Sequence, residues 1–172
     1  MLVRDFDRSQ EYSTTTVAMV TSSYDGIINV MAAEWTIRSS IDPFLISLYV
    51  GYERKTYEMV RASGEFGLSY SSSDQAEIVH ISGNYSRRSL DKIGTGMFPL
   101  LPSNRIKAPL IAGSICNFEC RVVDEFPCGD HAIFVGEVLE GYYDDSKSPL
   151  VFHGGKFYRL GDRIPKKRTS EY

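Results

Sequence analysis

The chain has 172 residues, of which 42% are hydrophobic and 24% charged, and this composition is typical of one globular domain with a single core. Its formal net charge of -3 at pH 7 argues against a general role on nucleic acid or on an anionic membrane surface. Charges near the N-terminus exclude a signal-peptide core, and no window reaches the roughly 18 apolar residues of a membrane span. We therefore expect one cytoplasmic domain over residues 1–172, ending in a solvated tail over about 162–172.

The N-terminal third of the chain predicts β-structure. Residues Thr14–Ser23 are rich in β-branched side chains, and the Asp25-Gly26 pair that follows is a strong signal for a tight hairpin turn. Two further strands are predicted by the apolar run Phe44–Val50 and by the segment Glu65–Ser71. The chain therefore opens with a β-hairpin and continues into a sheet.

A short helix is predicted between these two later strands. Its narrow stripe has the helical spacing i, i+3, i+4 and i+7 and consists of Thr56, Met59, Val60 and Ser63. Thr56 stands near the start, where a hydroxyl can cap free backbone N–H groups, and Gly64 ends the helix.

The rest of the chain predicts polar helical segments followed by strand pairs. The segments 73–83 and 86–94 are predicted to be helical, and two hairpins are predicted from 110–123 with 131–143 and from 149–152 with 156–161. Six or more strands, few helices and no repeated βαβ unit favour an antiparallel sheet, closed or partly closed into a barrel, over a parallel α/β sheet.

Common enzyme fingerprints are absent from the sequence. It contains no G-x-S-x-G motif and no G-x-x-x-x-G-K-[ST] loop, and Gly94 and Gly96 lack the third glycine of a dinucleotide fingerprint. The cysteines Cys116, Cys120 and Cys128 have neither CxxC nor zinc-site spacing, so neither a disulfide nor a metal site is predicted. They are expected to be reduced core or turn residues, with a redox partnership with a cofactor as the alternative.

The most distinctive chemistry lies at the start of the predicted helix. Arg54, Lys55 and Thr56 place two cations and a hydroxyl at the positive end of a helix dipole, a combination that suits a phosphate monoester. A solvated, capped surface helix is the alternative.

Several longer patterns carry a family resemblance. The pieces "DGIINVMAAEWT", "RKT", "GEF", "EC" and "GDHAIFVGEV" occur in this order, and over about residues 12–161 the chain resembles the flavin reductase-like family of FMN-binding split barrels, which includes flavoredoxins. The resemblance implies a mainly β fold, a six-stranded antiparallel Greek-key split β-barrel with a few peripheral helices. It also implies a homodimer that binds FMN near its interface and passes electrons from NADH or NADPH to flavin.

The resemblance assigns two groups of FMN contacts. The isoalloxazine ring is expected against Ala33, Glu34, Trp35 and Thr36, whose backbone groups can match the donors and acceptors of the ring, and the phosphate against Arg54, Lys55 and Thr56. A barrel-core aromatic is the alternative for Trp35.

One histidine is the catalytic candidate. His131 follows Gly129-Asp130 in a motif similar to one in which a histidine lies near the nicotinamide or the flavin. A structural histidine beside a turn is the alternative. His153 stands in a Gly-rich turn that could line the mouth of the site.

The function classes left open differ in their electron donor. In the first, the protein is an NAD(P)H:flavin oxidoreductase that hands electrons to free flavin, ferric chelates or a partner monooxygenase. In the second, it is an FMN-binding electron carrier that does not react directly with nicotinamide. A split barrel that binds no flavin is the third reading.

The high aromatic content of the chain is a second reason to expect a homodimer. The chain has 11 tyrosines and 9 phenylalanines, more ring bulk than a small barrel can enclose. Rings such as Tyr49, Tyr52, Tyr142 and Tyr143 are therefore expected on outer faces, where exposed aromatic patches usually mark contact surfaces.

Overall fold

The computed structural model describes residues 2–164, so most of the predicted tail lies outside the described residues. Within that range the chain forms twelve strands and three α-helices. The helices are α1 Phe6–Glu11, α2 Lys55–Ser63 and α3 Ala76–Asn84. The strands are β1 Thr15–Thr16, β2 Ala18–Tyr24, β3 Ile27–Ala33, β4 Thr36–Ser40, β5 Leu45–Gly51, β6 Glu65–Tyr70, β7 Leu100–Leu101, β8 Leu110–Ile111, β9 Cys116–Cys128, β10 His131–Tyr143, β11 Leu150–His153 and β12 Lys156–Arg159.

The main sheet contains seven strands in the order β3-β2-β6-β9-β10-β5-β4, and every neighbouring pair is antiparallel. Strands β1, β11 and β12 form a second antiparallel sheet, and β7 pairs with β8. The predicted mainly β, antiparallel class is confirmed. The main sheet has seven strands where six were expected, and its hydrogen bonding does not close into a barrel.

Both predicted long hairpins are present. Asp25 and Gly26 join β2 to β3 with φ angles of 51° and 73°, the left-handed conformation that a two-residue hairpin turn requires. The hairpin of β9 and β10 turns at Gly129, where φ is 61°. Strand β9 runs as far as Cys128, so little of the segment 124–130, which was expected to be a turn, lies outside the ladder.

One predicted helix is absent. Residues 86–94 form turns, with a 3-10 turn at Ile93–Thr95. The Ser89 hydroxyl donates to the Ser86 carbonyl at 3.0 Å, and the Ser86 hydroxyl accepts from the Arg88 amide at 3.2 Å. These local side-chain bonds compete with helical ones. The first of the two helical predictions is confirmed by α3.

The core lies between the main sheet and two helices. The buried residues of α2 are Thr56, Met59 and Val60, and Gly64 ends the helix with φ of 71°. The larger cluster packs Val60 against sheet residues that include Leu48, Phe66, Leu68, Cys120 and Phe134. A second cluster lies beneath α3 and includes Val17, Met19, Val30, Val79, Ile111 and Leu150. The two clusters hold α2 and α3 on the β2-β3 end of the sheet.

The buried carboxylate of Glu119 ties a long connection to the sheet. Glu119 on β9 has no exposed surface and accepts hydrogen bonds from the backbone amides of Asn104, at 3.0 Å, and Arg105, at 2.6 Å. The Tyr142 hydroxyl donates to the same carboxylate at 3.1 Å. Because a buried charge is tolerated when it is fully hydrogen-bonded, this residue of the "EC" pair has a structural role.

Glycines adjust two strands. Gly113, with φ of 80°, interrupts the predicted strand 110–123, so that β8 and β9 are separate. Gly136 on β10 makes room for the ring of Phe66, because a Cβ at this position would lie 2.6 Å from the Phe66 Cζ atom.

We expect Gly136→Ala to lower the free energy of unfolding by about 1–3 kcal/mol, because the added methyl group overpacks the core. Urea denaturation measures this change.

Gly161 is the matched control, because a Cβ there would meet no atom within 4 Å. Gly161→Ala should leave the urea midpoint nearly unchanged. Equal midpoints for the Gly136 variant and the wild type would show that Phe66 has space to move.

Candidate functional site

Helix α2 begins at the segment that was predicted to bind phosphate. Arg54 is the N-cap residue, with extended backbone angles, and no side chain of the described residues caps the helix. The first turn therefore keeps backbone N–H groups and the positive end of the dipole available. Arg54 and Lys55 contact the carboxylates of Glu53 and Glu58 at 2.9 and 2.6 Å, and both cations stay partly exposed.

Thr56 is buried with Met59 and Val60 of its helical stripe and does not cap the helix. It is the second residue of α2, only 2% exposed, and its hydroxyl accepts a hydrogen bond from Asn29 Nδ2 of strand β3 at 2.9 Å. The Thr56 side chain therefore links helix α2 to strand β3. The other amide atom, Asn29 Oδ1, is buried without a hydrogen-bond partner in the described residues.

Two cations from the connection after α3 join this end of the site. Arg87 and Lys92 line a small cavity together with Arg54, Lys55, Thr56 and Ser82. Lys92 is 2% exposed and its ammonium donates to the Tyr85 carbonyl. Arg87 Nε is buried without a partner among the described residues. Sequence reasoning missed both cations because more than thirty residues separate them from Arg54, and only the turns of 86–94 bring them there.

A larger cavity begins where the cationic one ends. It has a volume of about 280 Å³ and is lined by Ala32, Ala33, Glu34, Trp35, Arg54 and His131, among others. Met31, Arg54 and Gly83 line both cavities, so the two lie next to each other. The end of β3 and the bend that follows it thus form one wall, with small Ala32 and Ala33 side chains that allow close approach of a flat ligand.

Trp35 and His131 meet at the far end of this cavity. Their ring centroids are 4.7 Å apart with an angle of 41° between the planes. Trp35 is 51% exposed, so it is not a core aromatic, and the Tyr49 amide donates to its carbonyl at 3.1 Å. His131 Nδ1 lies 2.7 Å from Asp130 Oδ1. This bond lowers the pKa of Asp130, and because a carboxylate only accepts, it requires a proton on Nδ1.

Two further cavities open from the same wall. The outer one, of about 490 Å³, is lined by Glu34, Trp35, Thr36, Tyr49, Cys128 and His131 among others. The other, of about 380 Å³, shares Ala32, Glu34 and Gly83 with the Trp35 cavity and continues to His80, Asn84 and Phe157. His80 had no recognisable motif, and it reaches the cavity because α3 packs beside β3.

Of the remaining candidates, Cys128 is exposed and lines the outer cavity, whereas His153, Cys116 and Cys120 do not line these cavities. His153 Nδ1 contacts the Thr14 hydroxyl at 2.8 Å, and its ring packs on Tyr12. All three cysteines are free thiols. Burial raises the pKa of Cys116 to about 11, and burial with the nearby Glu119 charge raises the pKa of Cys120. Both thiols are therefore poor nucleophiles.

The site thus joins a cationic recess to a slot with an aromatic end, and comparison with known proteins identifies the family. A family model described as "Flavin reductase like domain" matches residues 11–161. The chain belongs to the flavin reductase-like family. The resemblance seen in the sequence is confirmed, with nearly the same bounds.

Named relatives of this flavin reductase-like domain include enzymes. An NADH-dependent flavin reductase of Rhodococcus sp is 30% identical over 77% of this chain and 70% of that protein. An uncharacterized protein of Pyrococcus abyssi is 33% identical over 80% of this chain and 77% of its own length. Among solved structures, BorF, the flavin reductase component of a bacterial two-component tryptophan halogenase, aligns with a TM-score of 0.82, 30% identity and coverage of 92% of this chain and 98% of that chain.

These relatives support the prediction that the chain is an enzyme of the flavin reductase type. None of the helices in the described residues has the length and apolar character needed to cross a membrane.

Proposed function

We propose that this flavin reductase-like domain binds FMN and reduces flavin with NADH. The observation that carries the proposal is the pair of adjacent cavities, one lined by the four cations Arg54, Lys55, Arg87 and Lys92 and the other by the Trp35–His131 pair. FMN has a matching polarity, with a phosphate at one end of a short chain and a flat ring at the other. The NADH-dependent flavin reductase of Rhodococcus sp supports the choice of donor.

The chain's own residues fit the phosphate of FMN. The start of α2 offers backbone N–H groups, and Arg87 Nε is a buried donor without a partner in the described residues. The sequence has a phosphate-binding pattern at Arg54, Lys55 and Thr56 without an adenine-binding signature. This is the reason for proposing FMN over FAD.

The other end of the site fits a flat ring. Backbone groups of Ala33, Glu34, Trp35 and Thr36 follow an extended strand end and bend, where N–H and C=O groups alternate. When bound, the flavin supplies the hydride-accepting chemistry. Trp35 and His131 shield one side of the slot from water, and the bond from His131 to Asp130 fixes the orientation of the imidazole.

The first test concerns the phosphate. We expect Arg54→Ala with Lys55→Ala to weaken FMN binding by a few kcal/mol, because charge-assisted hydrogen bonds contribute about 1.5–3 kcal/mol each. Riboflavin, which lacks the phosphate, should bind to the variant and the wild type with similar affinity. Fluorescence titration of both flavins measures the difference.

Arg61→Ala is the matched control, since Arg61 lies in the last turn of the same helix. It removes a cation without touching the recess, and FMN affinity should stay unchanged. Equal losses of FMN and riboflavin in the Arg54 and Lys55 variant would contradict the phosphate assignment.

The second test concerns the donor. The FMN-loaded protein, mixed anaerobically with NADH in a stopped-flow instrument, should lose its flavin absorbance. In His131→Ala this reduction should slow by more than tenfold, because His131 lines the outer cavity, where the nicotinamide is proposed to bind. FMN affinity should change much less, because the cations proposed to bind the phosphate are unchanged.

His153→Ala serves as the control, because His153 contacts Thr14 and Tyr12 outside these cavities. A wild-type protein that holds FMN but is not bleached by NADH or NADPH would instead be an electron carrier. An unchanged rate of flavin reduction in His131→Ala would show that His131 has only a structural role.

A homodimer is part of the proposal, because the sheet has an apolar outer face. Tyr49, Ile133 and Phe126 lie side by side on β5, β10 and β9. Trp35 and Ile37 continue this face to β4, and they are 51% and 59% exposed. The same residues border the outer cavity at Tyr49, Trp35 and Ile37, so a second copy seated there would complete its wall.

The aromatics predicted to be on outer faces support this view in part. Tyr143 is 83% exposed and Tyr52 is 39% exposed, whereas Tyr49 and Tyr142 are half-buried. The hydroxyl of Tyr142 is bonded to Glu119 and belongs to the fold.

The third test measures the mass in solution. Light scattering should give twice the chain mass of 19.4 kDa. Ile133→Glu should give monomers, because a carboxylate cannot be buried unpaired in an apolar interface. Tyr24→Glu, at the exposed tip of the first hairpin, should remain dimeric. A monomeric wild type that binds FMN tightly would show that one chain forms the complete site.

Electrons are proposed to leave the flavin for a separate acceptor. BorF is a component of a two-component halogenase, and a partner oxygenase is the corresponding acceptor for this chain. We also propose that this protein is cytoplasmic and that residues 1–172 form a single domain.

A further inference from the structure

Lys92 is a buried cation whose place the fold alone does not explain. It is 2% exposed, and its ammonium donates to the carbonyl of Tyr85 at the end of α3. In residues 2–164 it forms no salt bridge, although neighbouring cations have carboxylate partners: Arg54 with Glu53, Lys55 and Arg88 with Glu58, and Arg87 with Asp91. A buried ammonium without a counter-charge is costly.

The surroundings of Lys92 are cationic. Burial, and then the charges of Arg87 and Arg54, lower its pKa from 10.5 to about 8. Lys55 faces the same recess from α2, while strand β3 contributes Asn29 and Met31, which do not titrate. The nearest carboxylates are engaged with the arginines and with Lys55. An anion placed in the recess would supply the counter-charge that Lys92 lacks and would also lie beside the other three cations.

We propose that Lys92 is a proton-dependent contact for the FMN phosphate, so that the phosphate binds together with a proton in alkaline solution. This inference rests on the proposed function. Lys92 lines the recess together with Arg54, Lys55 and Thr56 at the start of α2. Its side chain is 2% exposed, so water screens its charge less than it screens the charges of the partly exposed cations.

The sign of the effect follows from linkage. A phosphate dianion beside Lys92 favours the ammonium form, so the pKa of Lys92 rises when the phosphate binds. Above about pH 8 the free protein has lost part of this charge, and binding must take up a proton. FMN affinity therefore falls as pH rises through this range, while riboflavin affinity does not report this step.

The experiment is a pair of flavin titrations over pH 7.0 to 9.5 with the full chain. For the wild type, the ratio of FMN to riboflavin affinity should fall about tenfold between pH 7.5 and 9.5, since one pKa unit corresponds to a factor of ten. Dividing by the riboflavin affinity at each pH removes effects of general unfolding and of titration of the flavin ring. A flat ratio would overturn the proposal.

Two variants assign the effect to Lys92. Lys92→Met keeps the length without the charge, and its ratio should be low at pH 7.5 and independent of pH. Lys92→Arg stays protonated throughout, so its ratio should stay high at pH 9.5. The same alkaline fall in the Lys92→Met variant would assign the titration to another group and overturn the proposal.

Failure of the proposed function gives a different result. A protein that binds neither flavin at any pH contradicts the flavin site as a whole. A protein that binds both flavins with a pH-independent ratio keeps the flavin site and loses the role of Lys92.

Discussion

The hydrogen bond from Asn29 to Thr56 is the contact on which the geometry of the site depends. It joins strand β3 to the first turn of α2 in a fully buried position. The same strand continues through Ala33 into the bend at Glu34 and Trp35. Because a strand rises about 3.3 Å per residue, the four steps from Asn29 in the recess to Ala33 in the wall of the slot span about 13 Å. Strand β3 thus sets the position of the recess relative to the slot.

Sequence reasoning succeeded where the signal was local. The Asp25-Gly26 turn, the strand Phe44–Val50 and the cation pair at the helix start each depend on neighbouring residues, and each is found close to where it was predicted. The predicted capping role of Thr56 was wrong, because its hydroxyl bonds to Asn29, which lies 27 positions away in the sequence. Periodicity alone could not show that partner.

Arg87 and Lys92 illustrate a second limit. Their segment was expected to be a helix. On a helix, these two side chains would project in different directions. The serine hydroxyls at Ser86 and Ser89 bond to nearby backbone groups instead, and the resulting turns direct both cations into one recess. Sequence reasoning also missed strand β4. This strand is short and largely exposed, and Ile37 is its single large apolar residue.

The cations of the recess also constrain each other. Four positive side chains near one cavity repel, and the surrounding carboxylates relieve this repulsion unevenly, because Glu53, Glu58 and Asp91 contact the partly exposed cations at the rim. Lys92, behind them, has only the carbonyl of Tyr85. A carboxylate beside Lys92 would neutralise its charge but would also repel an incoming phosphate. The absence of a carboxylate beside Lys92 in the described residues is therefore the arrangement that leaves the recess attractive to an anion, at the cost of a strained charge state before the anion binds.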